Sequence, residues 1–309
     1  MVRHDQTSQV TYDIARRGDQ GTTHYEYWDY GAYRTALTGS TQDDMAELWR
    51  ARHGELAPYT ALVADAQTAG RGRVGRRWFS LPERSLTVSA LIVLPAALVE
   101  SAGWLTLIGG AAARRALSRL AGVSCNGTEL KISWPNDVVA VSASGEQRKV
   151  AGVLGEYIGR AEETDTLAAV VGLGANLGLT EDELPTPTAA SLRTAGFEVP
   201  DRGEVVRAWL QELEERVGAF GATGDPRASG VLEEINRECA TLRPNVTVGR
   251  PRDTPVIGRG VRIVEDGSLI VASTDGEVVV TSGEVSLFGD MPRAVTAFRE
   301  PTAGPEATR

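Results

Sequence analysis

The sequence is poor in the residues that build metal sites and disulfide frameworks. It has two cysteines, Cys125 and Cys239, and three histidines, His4, His24 and His53. None stands at a metal-ligand spacing from another, which argues against CxxC-type zinc or redox motifs. The cysteines read as two unpaired, buried thiols, a usage that suits a reducing compartment. A surplus of positive charge is also missing, the formal net charge being −9. Generic affinity for nucleic acid comes from neutralising phosphates with excess Lys and Arg, so a general nucleic-acid binder is not expected. Long apolar runs are absent as well. The most apolar stretch, residues 86–94, is broken by Pro95 and followed by Glu100, well short of the roughly 20 residues that cross a bilayer. Residues 1–20 are polar and lack the apolar core of a signal peptide. A cytoplasmic protein with no membrane partner is expected. Lysine is scarcer still: Lys131 and Lys149 are the only two.

The 309 residues suffice for one large domain and a small one. Residues 1–23 read as a flexible polar tail. Residues 41–53 read as a helix capped by Ser40 or Thr41, with Met45, Leu48 and Trp49 on one face. Strands are expected over 60–65, 86–94 and 167–173, and a buried Ala- and Leu-rich helix over 97–120. Residues 137–142 and 150–158 read as paired strands, with hairpin-loop composition over 144–148. A Pro- and Thr-rich loop lies near 185–188, followed by helices over 205–220 and 230–242. Beyond Arg243, short Val- and Ile-bearing segments are split by Gly and Asp, the pattern of a small antiparallel β-barrel. The layout is α+β: a mixed sheet flanked by helices over 24–242, a small β domain over 243–290, and a disordered tail over 291–309.

The most informative segment is Gln67-Thr68-Ala69-Gly70-Arg71-Gly72-Arg73-Val74-Gly75-Arg76-Arg77-Trp78. Glycine permits close backbone approach. Arginine supplies fixed, charged forks that suit phosphate and carboxylate. Trp78 offers a flat face to a base. A solvated basic turn and an RNA-binding Gly/Arg segment are alternatives, but a nucleotide-phosphate clamp accounts best for the alternation. No Lys-Ser or Lys-Thr follows, so the loop is not a Walker A motif.

The run Gly70-Arg71-Gly72-Arg73-x-Gly75-Arg76-x-Trp78 resembles the signature loop of biotin–protein ligases. In that family the loop closes over biotin and the adenylate. The resemblance implies that Arg71 and Arg73 contact biotinyl and phosphate groups, with Gly70 and Gly72 lining the biotin site. It further implies that Arg76 meets phosphate, Trp78 stacks on adenine and Gln67 hydrogen-bonds biotin. Four further segments follow the family's order. Gly39-Ser40-Thr41-Gln42 resembles the Ser-Thr-Asn motif that touches biotin's ring, with Gln42 where Asn is usual. Trp134-Pro135-Asn136-Asp137 resembles the motif that sets Asn136 and Asp137 beside the ATP phosphates and Mg²⁺, and a carboxylate is a suitable hard ligand for that ion, directly or through water. Ser133 stands where the family commonly has Lys. Lys149-Val150-Ala151-Gly152-Val153-Leu154 resembles the strand whose lysine touches biotin's carboxylate and the adenylate phosphate, with Gly152 beside it. Gly172-Leu173-Gly174-Ala175-Asn176 resembles the family's GxGxN segment, which assigns Asn176 to the adenylate.

The resemblance covers roughly residues 30–288 and implies a class II synthetase-like catalytic domain with an SH3-like C-terminal domain. The implied reaction uses ATP and Mg²⁺ to activate biotin as biotinyl-AMP, then transfers biotin to a lysine of a biotin carboxyl carrier protein domain. Lys149, Arg71 and Arg73 are the expected catalytic residues, and no dedicated base is apparent. A lipoate ligase of the same fold is the main alternative, although its R-R-x-S-G-G-G-type loop is not found. Relatives that repress transcription carry an N-terminal helix-turn-helix domain. With Ser40 so near the start, DNA binding is not expected. A homodimer through exposed sheet edges stays open.

Overall fold

The computed structural model describes residues 11–15, 22–52, 55–250 and 253–286. A nine-stranded sheet organises the molecule. Its strands are β1 (Tyr12–Ala15), β2 (Thr22–Asp29), β3 (Ala32–Thr38), β4 (Ala61–Gln67), β5 (Ser85–Pro95), β6 (Glu129–Ser133), β7 (Asp137–Val141), β8 (Gln147–Ala161) and β9 (Thr166–Asn176). Their spatial order is β1-β2-β3-β4-β5-β9-β8-β7-β6. Only the β3–β4 pair is parallel, so the sheet is mixed.

The central strands read as nearly continuous apolar runs because both faces are covered. Ala61 and Val63, Ala90 and Ile92, and Ala169 and Val171 belong to one core cluster, which contains the buried faces of α2 (Trp104–Ala121) and α3 (Arg202–Thr223). The residues between them, Leu62, Leu91 and Val170, pack on the opposite side with Met45 and Leu48 of α1 (Thr41–Ala51). Period-two alternation is therefore present, but both phases are apolar.

Several expectations change: β6 was not expected, and the helix expected over 230–242 ends at Glu238. The helix expected from residue 97 starts later. Ala96–Ser101 form a 3-10 turn, and α2 begins at Trp104, after Gly103, a residue that disfavours helix interiors. The expected tail over 1–23 contains described residues that are ordered. Tyr12–Ala15 pair antiparallel with Thr22–Tyr25, and Tyr12 and Ile14 point inward. Four residues between polar segments are too short a signal to read from sequence. Strands β2 and β3 also went unpredicted. Their two-residue turn, Tyr30-Gly31, has positive φ at both positions (51° and 76°), the type I′ geometry that matches strand twist. Finally, Cys125 is exposed in the connection between α2 and β6, and only Cys239 is buried. Both thiols are free, and burial pushes that of Cys239 up. Residues 291–309, expected as a tail, lie outside the described residues.

After α4 (Val231–Glu238) comes a five-stranded antiparallel sheet of order β13-β12-β11-β10-β14. Its strands are β10 (Val246–Arg250), β11 (Asp253–Ile263), β12 (Leu269–Ser273), β13 (Gly276–Val280) and β14 (Glu284–Val285). It shares the large core cluster through Val248, Ile263, Leu269 and Val271. Two indoles dock it: Trp104 Nε1 donates to Glu265 O at 2.8 Å, and Trp134 Nε1 to Gly267 O at 2.9 Å. Among the described residues, no helix is long and apolar enough to cross a membrane.

Candidate active site

Strands β4, β7, β8 and β9 and the start of α1 bring four of the five sequence motifs together around the fifth, the glycine-rich loop. The loop follows β4 and folds back on itself. Gly72 N donates to Arg76 O (2.7 Å) and Trp78 N to Gly70 O (2.9 Å). Val74, at its tip, has φ 53° and is exposed. With Leu154, Gly155 and Glu156 of β8, the loop lines an open cleft of about 550 Å³.

Each loop arginine engages a different part of the protein. Arg71 pairs with Asp43 and, at 3.0 Å, with Glu156. Burial works against its charge, yet these two carboxylates hold it above its ordinary value. Arg73 Nη1 donates to Asn136 Oδ1 at 3.2 Å. Burial pushes Arg73 down, against the pull of Asp137 and Glu284. Arg76 pairs with Glu284 of the C-terminal sheet, and Arg77 donates to Thr68 O. Sequence reading misses Asp43, Glu156 and Glu284, whose only signal was their sign. They meet the loop through α1, β8 and β14, which chain order does not relate.

Lys149 is brought to Asp137 by a β-bulge. Asp137 pairs with Gly152 and Val138 with Ala151, but Val139 pairs with Lys149, leaving Val150 as the extra residue. Without a bulge, residues 149 and 152 would face opposite sides of the sheet. Here Lys149 Nζ lies 2.7 Å from Asp137 Oδ1. Gly152 makes room: a Cβ there would sit 3.0 Å from Lys149 Cε and Nζ and 3.3 Å from Asp137 Oδ1. The contact is an ion pair by distance but not an aligned hydrogen bond, so Asp137 Oδ1 is buried without a hydrogen-bond donor. The Lys149 backbone is held by the next segment, through Lys149 N to Thr188 O (2.7 Å) and Ala190 N to Lys149 O (2.8 Å).

Trp78 rests on β9. A Cβ at Gly174 would fall 2.3 Å from its ring. Lys149 Nζ stands 5.7 Å from the ring centroid, within cation–π range. The indole Nε1 is buried without an acceptor. Asn176, at the end of β9, is buried and donates to Ala190 O at 3.0 Å. It supports the segment that holds Lys149 and reaches the cleft only through it.

On the other flank, Ser40 caps α1. Gln67 Oε1 accepts from Thr41 N (2.7 Å) and Thr41 Oγ1 (3.2 Å). A backbone N–H can only donate, so this contact fixes Gln67's amide with Nε2 turned outward as a donor. Nε2 lies beside Gly70, 2.8 Å from where a Cβ there would sit. Gln42 is buried and bridges to the sheet: Nε2 donates to Val170 O at 3.1 Å, and Oε1 accepts from Ser89 Oγ at 3.2 Å. Its amide serves as part of the floor beneath Thr41. Ser133, where the resemblance expects Lys, is buried with its hydroxyl 3.4 Å from Thr241 Oγ1. Lys131 pairs instead with Glu129 and Glu238.

Among the described residues, no cluster of three His, Cys, Asp or Glu could hold a metal unaided. The single buried oxygen of Asp137 fits a Mg²⁺ that arrives on a nucleotide and keeps phosphate and water ligands.

Comparison with known proteins gives the family. A model described as the biotin/lipoate A/B protein ligase family matches residues 35–176. The biotin–[acetyl-CoA-carboxylase] ligase of Mycobacterium tuberculosis is 32% identical over 250 residues, which cover 81% of this chain and 86% of that relative. The chain therefore belongs to the biotin/lipoate A/B protein ligase family. The bifunctional ligase/repressor BirA of Escherichia coli is 30% identical over 240 residues, 75% of this chain and 70% of its own. Among solved structures, the biotin protein ligase of Aquifex aeolicus in complex with biotin and ATP superposes with a TM-score of 0.63. It is 27% identical, with 82% of this chain and 97% of that one covered.

Proposed function

We propose that the protein is an ATP-dependent biotin–protein ligase that forms biotinyl-5′-AMP and transfers the biotinyl group to a lysine of a biotin carboxyl carrier protein domain. The observation that carries this reading is that the arginine-bearing loop gathers Asn136 at Arg73, Lys149 over Trp78 and the Gln67 amide beside Gly70, in a chain of this family. In the first step a carboxylate oxygen of biotin attacks the α-phosphorus of ATP, and pyrophosphate leaves. Two anions must approach, so fixed positive charge lowers the barrier more than any covalent help would. Arg71, Arg73 and Lys149 supply that charge, and Arg76 meets the phosphates. Their present partners, Asp43, Glu156, Asn136 and Glu284, are exchanged for ligand oxygens. Mg²⁺, held by Asp137 and the phosphates, would neutralise the pyrophosphate leaving group. Ser40, Thr41, Gln67 and the backbone at Gly70, Gly72 and Gly152 line the biotin end, with Gln42 beneath. Trp78, Asn136 and, through the segment it supports, Asn176 serve the adenylate.

In the second step the neutral amine of the carrier lysine attacks the acyl carbon and AMP leaves. The loop excludes water from the mixed anhydride until then. We place the protein in the cytoplasm, where its two free thiols stay reduced. No DNA or membrane partner is assigned to it.

The test is incubation with biotin, Mg²⁺-ATP labelled at the α-phosphate, and a carrier domain. Biotinyl-AMP and biotinylated carrier are expected. Acceptance of lipoate or octanoate in place of biotin would move the protein to the lipoate branch, and salt-dependent RNA binding without adenylate formation would sink the ligase reading.

A further inference from the structure

Asp44, in the first turns of α1, is a buried carboxylate gripped by two strands. Its Oδ2 accepts from Tyr25 Oη at 2.8 Å and from Thr38 Oγ1. Tyr25 is fully buried in β2, ahead of residues 35–176 that match the family model. Thr38 ends β3 and stands beside Gln67 in the parallel β3–β4 register. Its carbonyl accepts from Thr68 N at 2.9 Å. Within α1, Asp44 N donates to Ser40 O at 3.0 Å, so Asp44 sits one helical turn from the cap. Thr41, between them, holds the Gln67 amide.

We infer that Tyr25, Asp44 and Thr38 form a positioning network for the biotin end of the cleft, an inference that rests on the ligase reading above. Hydroxyl-to-carboxylate hydrogen bonds in a water-poor interior are short and strong, and a buried carboxylate that loses one must shift or rehydrate. A shift of Asp44 moves the helix start, and with it Ser40 and Thr41 N. Thr41 N orients the Gln67 amide, so the donor that Gln67 presents moves too. The loop meets α1 at Arg71 and Asp43, but the groups assigned to the phosphates, Arg73, Arg76 and Lys149, are held by Asn136, Glu284 and Asp137 and share none of these bonds. The network therefore sets affinity for biotin and not for ATP. It also gives β2 a task at the site, although that strand contributes no residue to the cleft.

The experiment compares Tyr25→Phe, Thr38→Val and Thr38→Ser with the wild type. Initial rates of biotinyl-AMP formation are measured while biotin and ATP are varied separately, with a thermal melt of each protein. Tyr25→Phe keeps the ring in its core cluster and removes only the hydroxyl. Tyr25→Phe and Thr38→Val should each raise KM for biotin by about tenfold, the scale of one hydrogen bond to a charged group, leaving KM for ATP and kcat unchanged. Thr38→Ser, which keeps the hydroxyl, should behave as the wild type. A lower melting temperature with unchanged KM for biotin overturns the inference, as does a parallel rise in both KM values or a Thr38→Ser variant no better than Thr38→Val. If the wild type forms no biotinyl-AMP, the ligase reading falls and takes the network with it. Wild-type activity with unmoved biotin kinetics in the variants sinks the network alone.

Discussion

Replacing Lys149 by alanine removes the lysine that stands over Trp78 and takes from Asp137 its nearest cation, leaving the weaker pull of Arg73. At 2.7 Å the pair attracts with a gross energy of about 6 kcal/mol at an effective dielectric constant near 20. The side chains are 29% and 23% exposed, so desolvation and solvent screening reduce the net loss of stability to about 1–2 kcal/mol. The chemical cost is larger. A preorganised charge aimed at a developing anion contributes about 10²- to 10³-fold to the rate, roughly 3–4 kcal/mol. The variant should therefore melt a few degrees lower, remain folded at 25 °C, and lose most of its activity. The assay is biotin-dependent exchange of labelled pyrophosphate into ATP, which reports the first step without the carrier. Lys149→Arg is the informative companion. It retains a cation for Asp137, so stability should recover. The planar guanidinium spreads its charge over a fork and does not restore the compact point charge of Lys149 Nζ, so activity should not. Exchange near the wild-type rate in Lys149→Ala would remove Lys149 from the mechanism and refute the electrostatic argument.

Other perturbations test separate parts of the cleft. Arg73→Gly cuts the link from the loop to Asn136, so biotinyl-AMP should escape and label unrelated proteins; blots with no added labelling would show that Arg73 does not retain the adenylate. Gly174→Ala places a Cβ 2.3 Å from the Trp78 ring and forces it off β9, at a cost of about 1–3 kcal/mol. KM for ATP should rise and tryptophan emission change, and unaltered emission would mean that Trp78 does not rest there. Asp65 lies between Arg34 and Arg202. Burial alone would raise its carboxyl, but hydrogen bonds from the two arginines win and hold it below the usual range. A carboxylate depressed in the folded state stabilises fully above its unfolded value and loses that contribution as pH falls through the folded one. The gap in urea stability between wild type and Asp65→Asn should hold steady near neutrality and close below about pH 4; a gap independent of pH would show that ionisation of Asp65 contributes nothing.

The sequence by itself determined the motifs and most of the large elements. Segments with long apolar runs or clear periodicity, such as β5, α1, β9 and α3, were legible because burial demands those patterns wherever the segment sits. The Gly/Arg loop, Trp134–Asp137 and the lysine-bearing strand were legible because phosphate and carboxylate chemistry restricts which residues can serve. Tertiary structure alone decided the rest. The four-residue strand β1 carries too few residues for a periodic signal, and β3, as long as β4, lacks an apolar run because most of its residues are partly buried or exposed; both gain their order by pairing. The bulge at Val150 cannot be seen in a string of letters, yet it turns Lys149 onto the face of Asp137. The carboxylates of Asp43, Glu156 and Glu284 come from three distant elements. Their pairing with Arg71 and Arg76 depends on how α1, β8 and the C-terminal sheet are packed around the loop. Local sequence specifies what a residue can do, and long-range packing specifies what it meets, because the contacts that set charge and position at this cleft join residues far apart in the chain.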